Sequence, residues 1–153
     1  MKKDKKLSPT LSGIAGEYFV AAELSKRGYI ASLTLKNTRG VDILATNSDA
    51  SKTVAIQVKT NQNKNKVWVL SEKAENFSSS THFYVFVNLS TQKGYPDFHI
   101  VPSKEVANWV KKDHSNWLKK PGKNGKPHQD NPIRQFRDLN SQYLNRWELL
   151  GLG

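Results

Sequence analysis

The sequence contains no cysteine, which excludes disulfide bonds and thiolate metal sites. It also lacks any apolar run near the roughly 20 residues that a membrane-spanning helix needs. No apolar stretch follows the basic start, so a secretory signal is not supported, and we expect a cytoplasmic protein without membrane contact. Acidic residues are scarce as well. The 13 Asp and Glu residues stand against 24 Lys and Arg, which gives a formal net charge of +11.

The excess positive charge is concentrated in two stretches. No acid occurs between Asp49 and Glu72, although four lysines do, and residues 111–126 hold six lysines and one acid. An excess of positive charge indicates the kind of partner that a protein binds, and polyanions are the first candidates. A solvated basic surface is the simpler interpretation. Nucleic acid is the favoured partner because the basic stretches flank the polar strand positions described below.

The 153 residues predict a single domain with a mobile start. Residues 1–9 are expected to be a basic flexible tail. Ser8-Pro9 and Gly28 are typical start and stop signals, so a helix is predicted over about residues 10–27. Strand patterns follow at about 29–35, 41–46, 54–59, 67–70, 82–89 and 98–101. The order predicts an α/β core with a mixed sheet over residues 10–102, and residues 103–153 are predicted as a helical C-terminal extension packed on it.

Glu17 has an unexpected position in the first predicted helix. The stripe predicted to face the protein contains Ile14, Tyr18, Ala21 and Ser25, and Ala22 and Leu24 widen it. Gly16 and Glu23 are predicted on the opposite, solvent side, whereas Glu17 lies on the apolar side. A carboxylate that faces the body of a protein needs a partner there.

Two neighbouring strands carry the remaining polar residues of interest. Asp42 opens the strand that ends near residue 46, and the following strand alternates, with Gln57 and Lys59 on its polar face. Carboxylate, amide and carbonyl oxygens are ligands that Mg²⁺ accepts, together with water and substrate phosphates. Asp42 is therefore the main candidate ligand, with Glu17, Gln57 and the backbone carbonyl of Val58 as further ligands. Lys59 could hold the attacking water and stabilise charge on a phosphoryl transition state.

This arrangement resembles the PD-(D/E)xK nuclease superfamily, and most closely the archaeal Holliday-junction resolvases. The resemblance rests on Glu17 in a first helix, Gly40-Val41-Asp42 opening a strand, and Gln57-Val58-Lys59 on the next. It implies a restriction-endonuclease-like αβββαβ core, dependence on Mg²⁺ or Mn²⁺, and hydrolysis of DNA phosphodiester bonds by an endonuclease. Asp42 and Glu17 would be the acids and Lys59 the catalytic lysine. Gln57 stands where many members have an acid.

Four basic residues are candidates for contact with the DNA backbone. The candidate phosphate-binding residues flank the proposed site: Lys36, Arg39, Lys64 and Lys66. Branched DNA is one candidate substrate, and a cut in both strands would favour a homodimer.

The chain could instead bind nucleic acid without cutting it, because Gln57 is uncharged. A third interpretation is a protein-interaction module of a mobile element or defence system, using the Trp-rich C-terminal third. The four histidines have no metal-ligand spacing, and His82 and His99 are interpreted as structural.

Overall fold

The computed structural model describes residues 5–35, 38–90 and 94–153 of the chain. In chain order, its helices and strands are α1 (Pro9–Lys26), β1 (Ile30–Leu33), β2 (Ile43–Thr46), β3 (Thr53–Asn61), β4 (Val67–Ser71), β5 (His82–Asn88), β6 (Asp97–Pro102), α2 (Ser103–Lys119) and β7 (Ile133–Arg137). Short 3-10 helices lie at Glu72–Glu75, Lys123–Gly125 and Trp147–Leu150. Within these described ranges, no helix is long and apolar enough to cross a membrane.

The ends of α1 follow from local chemistry. Ser8 precedes the helix with an extended backbone, and its hydroxyl oxygen accepts a hydrogen bond from the amide of Leu11 at 3.2 Å. Pro9 occupies the first turn, where a missing N–H leaves no helical hydrogen bond unmade. Gly28 follows the helix with a φ of +85°, which glycine adopts without strain. The predicted helix is confirmed.

Five strands form a central mixed sheet in the order β1-β2-β3-β5-β6. β1, β2 and β3 form an antiparallel meander, β3 and β5 are parallel, and β6 is antiparallel to β5. The register pairs Ile43 with Ile56 and Gln57 with Tyr84. β4 and β7 form a separate antiparallel pair. The predicted α/β class with a mixed sheet is confirmed.

Each face of the central sheet carries its own core. On one face, Val20 and Leu24 of α1 pack against Ile56 and other buried residues of β2, β3 and β5. On the other face, the buried aromatic residues Trp68, Tyr84, Phe86 and Phe136 pack with α2. Because side chains alternate along β3, this strand gives Val54, Ile56 and Val58 to the first core. Gln57 and Lys59 therefore project on the side of the second core.

α1 packs through Gly16, Val20 and Leu24, so the predicted apolar stripe is right at Leu24 and wrong in other positions. Its buried residues are Ser12, Gly16, Val20, Glu23 and Leu24. Gly16 approaches β3 so closely that a Cβ atom there would lie 1.8 Å from the hydroxyl oxygen of Thr60. Tyr18 is 61% exposed, so its predicted inward position is wrong. The predicted solvent position of Glu23 is also wrong, because its buried carboxylate pairs with Arg27 at 3.5 Å and with the hydroxyl of Tyr95.

The C-terminal third is only partly helical, so the predicted helical extension over residues 103–153 is wrong in part. α2 is present, but residues 133–137 form β7, which pairs antiparallel with β4. Near the end of the predicted extension, the structure has only the short 3-10 helix Trp147–Leu150 after β7 among the described residues. The strand was missed because Arg134, a charged residue, takes an inward position of β7. Its buried charge is compensated by an ion pair with Glu75. From sequence alone, an arginine is predicted to be exposed, because its partner is not known.

Candidate active site

The carboxylate of Asp42 is fixed onto the neighbouring strand. Its backbone amide donates to the carbonyl oxygen of Ile56 at 2.8 Å, which sets the start of β2 against β3. Its Oδ2 atom accepts a hydrogen bond from the backbone amide of Val58 at 2.7 Å. Val58 lies between Gln57 and Lys59 along β3. A single hydrogen bond therefore brings the acid to the centre of the Gln-x-Lys segment.

Gln57 and Lys59 line a cavity of about 640 Å³ beside Asp42. Both side chains are half-buried, and they lie across from Tyr84 and Phe86 of β5 in the parallel register. The other residues that line the cavity are Arg39, Gly40, Leu70, Ser71, Lys73, Ala74, Phe77 and Tyr84. Three cations and no acid are among these described lining residues, so the cavity favours an anion.

Glu17 is placed differently from the other predicted site residues. It lies half-buried on α1, and this helix packs on the face of the sheet opposite to Gln57 and Lys59. The residue before it, Gly16, touches Thr60, which follows Lys59 along β3. The close contact between α1 and β3 is therefore one residue away from Glu17 on the helix and one residue away from Lys59 on the strand. Glu17 does not line the cavity that contains Gln57, so its role as a second acid stays a prediction.

The oxygen donors around Asp42 fit a divalent cation that keeps much of its water shell. Among the described residues, no three or more His, Cys, Asp or Glu side chains form a group suited to a metal ion. Mg²⁺ does not need one, because it typically binds one or two carboxylates and completes its shell with waters and substrate phosphates. Asp42, the side-chain oxygen of Gln57 and the carbonyl of Val58 are donors of this type. The donor set therefore fits Mg²⁺ and Mn²⁺ and does not suit a zinc site.

His82 supports the turn that leads into Asp42. It is the first residue of β5, it is 3% exposed, and its Nε2 atom lies 2.7 Å from the carbonyl oxygen of Gly40. Burial lowers the pKa of His82, against the smaller opposing effects of that hydrogen bond and of the Asp42 charge. A neutral ring with its proton on Nε2 donates to Gly40. The sequence-based interpretation of His82 as structural overlooked this contact, because the two residues are 42 positions apart.

Burial of two histidines makes stability depend on pH. Burial also lowers the pKa of His99, which is fully buried and lies 2.6 Å from a carboxylate oxygen of Asp138. Below about pH 6.5 both histidines bind protons more readily in the unfolded chain than in the folded chain. The free energy of unfolding therefore decreases as the pH falls. We expect urea unfolding to give a clearly lower free energy of unfolding at about pH 5.5 than at about pH 7.5. His82→Gln should make this dependence shallower, and a stability that rises on acidification would contradict the assignment.

The predicted phosphate-binding residues separate into two groups. Arg39 lines the cavity, as its position before Gly40 suggested, whereas Lys36 lies outside the described residues. Lys64 is exposed and Lys66 donates to the hydroxyl of Ser141, and neither lines this cavity. Lys73 takes a lining position that sequence reasoning missed. It comes from the 3-10 helix after β4, and only the crossover between β3 and β5 brings it to the site.

A second cavity of about 410 Å³ meets the first at Lys59, which lines both. Lys6 and the start of α1 line its other side. Gln62 holds this part of the chain, because its side chain accepts from the amide of Leu7 at 2.8 Å and donates to the carbonyl of Leu7 at 2.7 Å. The predicted flexible tail is therefore fixed at Leu7, and Pro9 already belongs to α1. Residues 1–4 of that tail lie outside the described residues.

Two solved structures are similar to this chain over most of its length. One is the Holliday junction resolvase of Archaeoglobus fulgidus, an archaeal hyperthermophile, with 14% sequence identity and a TM-score of 0.51 over 89% of this chain and 92% of that chain. The other is a bacterial homing endonuclease, with 16% identity and a TM-score of 0.54 over 97% and 95% of the two chains. Neither a family model nor a curated protein matches. Identities this low support a shared fold and leave the chemistry to be argued from the site.

Proposed function

We propose, from the restriction-endonuclease-like fold that the chain adopts, that it is a metal-dependent endonuclease hydrolysing DNA phosphodiester bonds. The observation that carries this proposal is the 2.7 Å hydrogen bond from the Val58 amide to the Asp42 carboxylate. It sets a carboxylate, the proposed metal ligand, beside Gln57 and Lys59 at the edge of a cationic cavity. Metal-assisted hydrolysis of a phosphodiester uses a ligand for a divalent cation and a positive charge near the phosphate, and this segment offers both.

Asp42 would hold Mg²⁺ or Mn²⁺ together with the side-chain oxygen of Gln57 and the carbonyl of Val58. When bound, such an ion supplies an activated water and offsets charge on the phosphate. Glu17 is the proposed second acid, acting from α1 directly or through a water. Gln57 contributes an oxygen without a negative charge, so the site should need a higher metal concentration than one with an acid at this position.

Lys59 acts on the phosphate from the same strand as Gln57. Its ammonium group would donate hydrogen bonds to the nonbridging oxygens, where negative charge increases in the transition state. It would also orient the attacking water. Arg39 and Lys73 line the same cavity and would hold neighbouring phosphates of the DNA backbone. The two similar structures are of a resolvase and an endonuclease, which supports DNA as the substrate class.

A second candidate function is binding of nucleic acid without cleavage. Gln57 favours it, because the Gln-x-Lys segment itself carries no acid and its amide adds no negative charge to the site. The cationic cavity would then serve to hold the backbone. This candidate predicts the same salt-sensitive DNA binding but no metal-dependent cut.

Cleavage assays on the full chain distinguish the candidates. Supercoiled plasmid, forked DNA and four-way junctions would be incubated with Mg²⁺, Mn²⁺, Ca²⁺ or EDTA, and products resolved on gels. We expect cleavage of at least one substrate with Mg²⁺ or Mn²⁺ and none in EDTA. Binding without cleavage in either metal would favour the second candidate. Absence of any salt-sensitive DNA binding would reject both and favour a protein-interaction module.

A further inference from the structure

The cavity beside Asp42 is lined by residues of two chemistries. Arg39, Lys59 and Lys73 are cations, and the apolar wall is the set Leu70, Ala74, Phe77 and Tyr84. A groove that only follows a duplex backbone needs cations and polar groups, and it gains nothing from an apolar wall. The apolar wall therefore indicates a ligand that has both an anionic and an apolar part.

Phe77 is the accessible part of the apolar wall. It is 46% exposed, whereas Tyr84 on the same wall is 3% exposed. Its ring makes an edge-to-face contact with His82, with centroids 4.7 Å apart and planes at 89°. His82 is buried and bonded to Gly40, so this contact gives the Phe77 ring a defined orientation. An oriented, exposed aromatic ring next to cations is typical of a surface on which a nucleobase stacks.

The apolar wall adjoins the proposed cleavage site. Gln57 is paired with Tyr84 across β3 and β5, so the apolar wall begins on the strand next to the segment that binds Asp42. Lys59 and Phe77 line the same cavity, so a nucleotide next to a phosphodiester held at Lys59 can place its base on Phe77. A volume of about 640 Å³ is within the range of pockets that enclose small organic ligands. In a duplex the base is stacked and paired, so only an unpaired nucleotide can enter.

We propose that this cavity binds one unpaired nucleotide of the DNA substrate, next to the phosphodiester that is cleaved. Its base stacks on Phe77, and its phosphate contacts Arg39 and Lys73. The inference rests on the proposed function and names its substrate class, which is DNA with unpaired nucleotides at a fork, branch or flap. Fully paired DNA would bind through the cations alone, and hence more weakly.

Binding of forked DNA with single abasic nucleotides tests this inference. The protein would carry Asp42→Asn and be kept in EDTA, so that binding is measured without cleavage. Each unpaired position of the fork is replaced in turn by an abasic nucleotide. We expect one position where loss of the base weakens binding by about tenfold, since stacking of one base on an aromatic ring has roughly this effect. With Phe77→Leu added, the intact fork should bind about tenfold more weakly and that abasic position should have no further effect.

Further variants and a duplex control separate stacking from folding defects. Phe77→Trp should keep the abasic effect, and Tyr18→Leu, which changes an exposed aromatic residue on α1, should leave fork affinity unchanged. Duplex affinity should be the same with and without Phe77→Leu. The inference is overturned if no abasic position matters in the protein with Phe77, or if Phe77→Leu weakens fork and duplex equally. Metal-dependent cleavage by the unaltered chain together with a flat abasic scan would reject the nucleotide pocket and leave the nuclease proposal standing.

Discussion

Asp42→Asn should lower DNA cleavage by at least about 100-fold while the chain stays folded. Asparagine keeps an oxygen that can accept the hydrogen bond from the Val58 amide, but it removes the negative charge that would hold the cation. Free energies of unfolding from urea titration should differ by no more than about 1 kcal/mol, because a neutral acceptor replaces a charged one. Cleavage rates at saturating Mg²⁺ or Mn²⁺ provide the activity measurement.

Asp42→Ala serves as the matched comparison for this prediction. Alanine removes the charge and also leaves the buried amide of Val58 without its acceptor, which costs about 1–3 kcal/mol of stability. Both variants should therefore be inactive, and only the alanine variant should be clearly less stable. Cleavage by the asparagine variant at the rate of the unaltered chain would remove Asp42 from the proposed metal site.

Lys59→Met should lower the maximal cleavage rate by about 100- to 1000-fold, because it removes a positive charge from the position of the transition-state phosphate. Methionine has a similar unbranched chain, so the half-buried position on β3 stays filled. The metal concentration for half-maximal cleavage should not rise, because the variant leaves the proposed ligands intact and removes a charge that repels the cation. Metal titrations of the cleavage rate separate these two quantities.

Lys64→Met is the control for the lysine prediction. Lys64 follows β3, is exposed, and lines neither of the two cavities that meet at Lys59. Its substitution should change the cleavage rate by less than about twofold, and should weaken DNA binding by at most one phosphate contact. An equal loss of cleavage in the two variants would show that Lys59 contributes general positive charge and has no particular position at the phosphate.

Local sequence patterns predicted the elements that carry the proposed chemistry. The alternation of Val54, Ile56 and Val58 gave β3 its two faces, and the start and stop signals gave α1 its ends. Local sequence patterns did not predict which face of α1 is buried. A glycine is buried there for close approach to Thr60, and the buried Glu23 accepts a hydrogen bond from Tyr95, 72 residues away, besides its ion pair with Arg27. Partners that decide burial come from elsewhere in the chain, so hydropathy along a helix does not reveal them.

The site was predictable where its residues are close in sequence. Asp42, Gln57 and Lys59 come from adjacent antiparallel strands, so a short turn is enough to bring them together. Lys73, Phe77 and His82 were missed, because they reach the site through the parallel pairing of β3 and β5. A parallel pair is joined by a crossover whose path is not encoded in local periodicity. The inward Arg134 hid β7 for a related reason, since its partner Glu75 lies 59 residues away.

The ion pair between Glu75 and Arg134 has a consequence for how this protein could change its substrate. It joins the 3-10 helix that bears Lys73 to β7, which is itself paired with β4. The part of the cavity lining from β4 and the 3-10 helix thus forms one mechanical unit with β7, while the proposed chemistry is located on β2 and β3. Exchange of this unit between chains of this fold could then alter substrate choice without altering the reaction. In engineering terms, the strands proposed for catalysis and the unit proposed for recognition are separate elements. The aromatic core of Trp68, Tyr84, Phe86 and Phe136 joins them, and that core would have to be kept in any exchange.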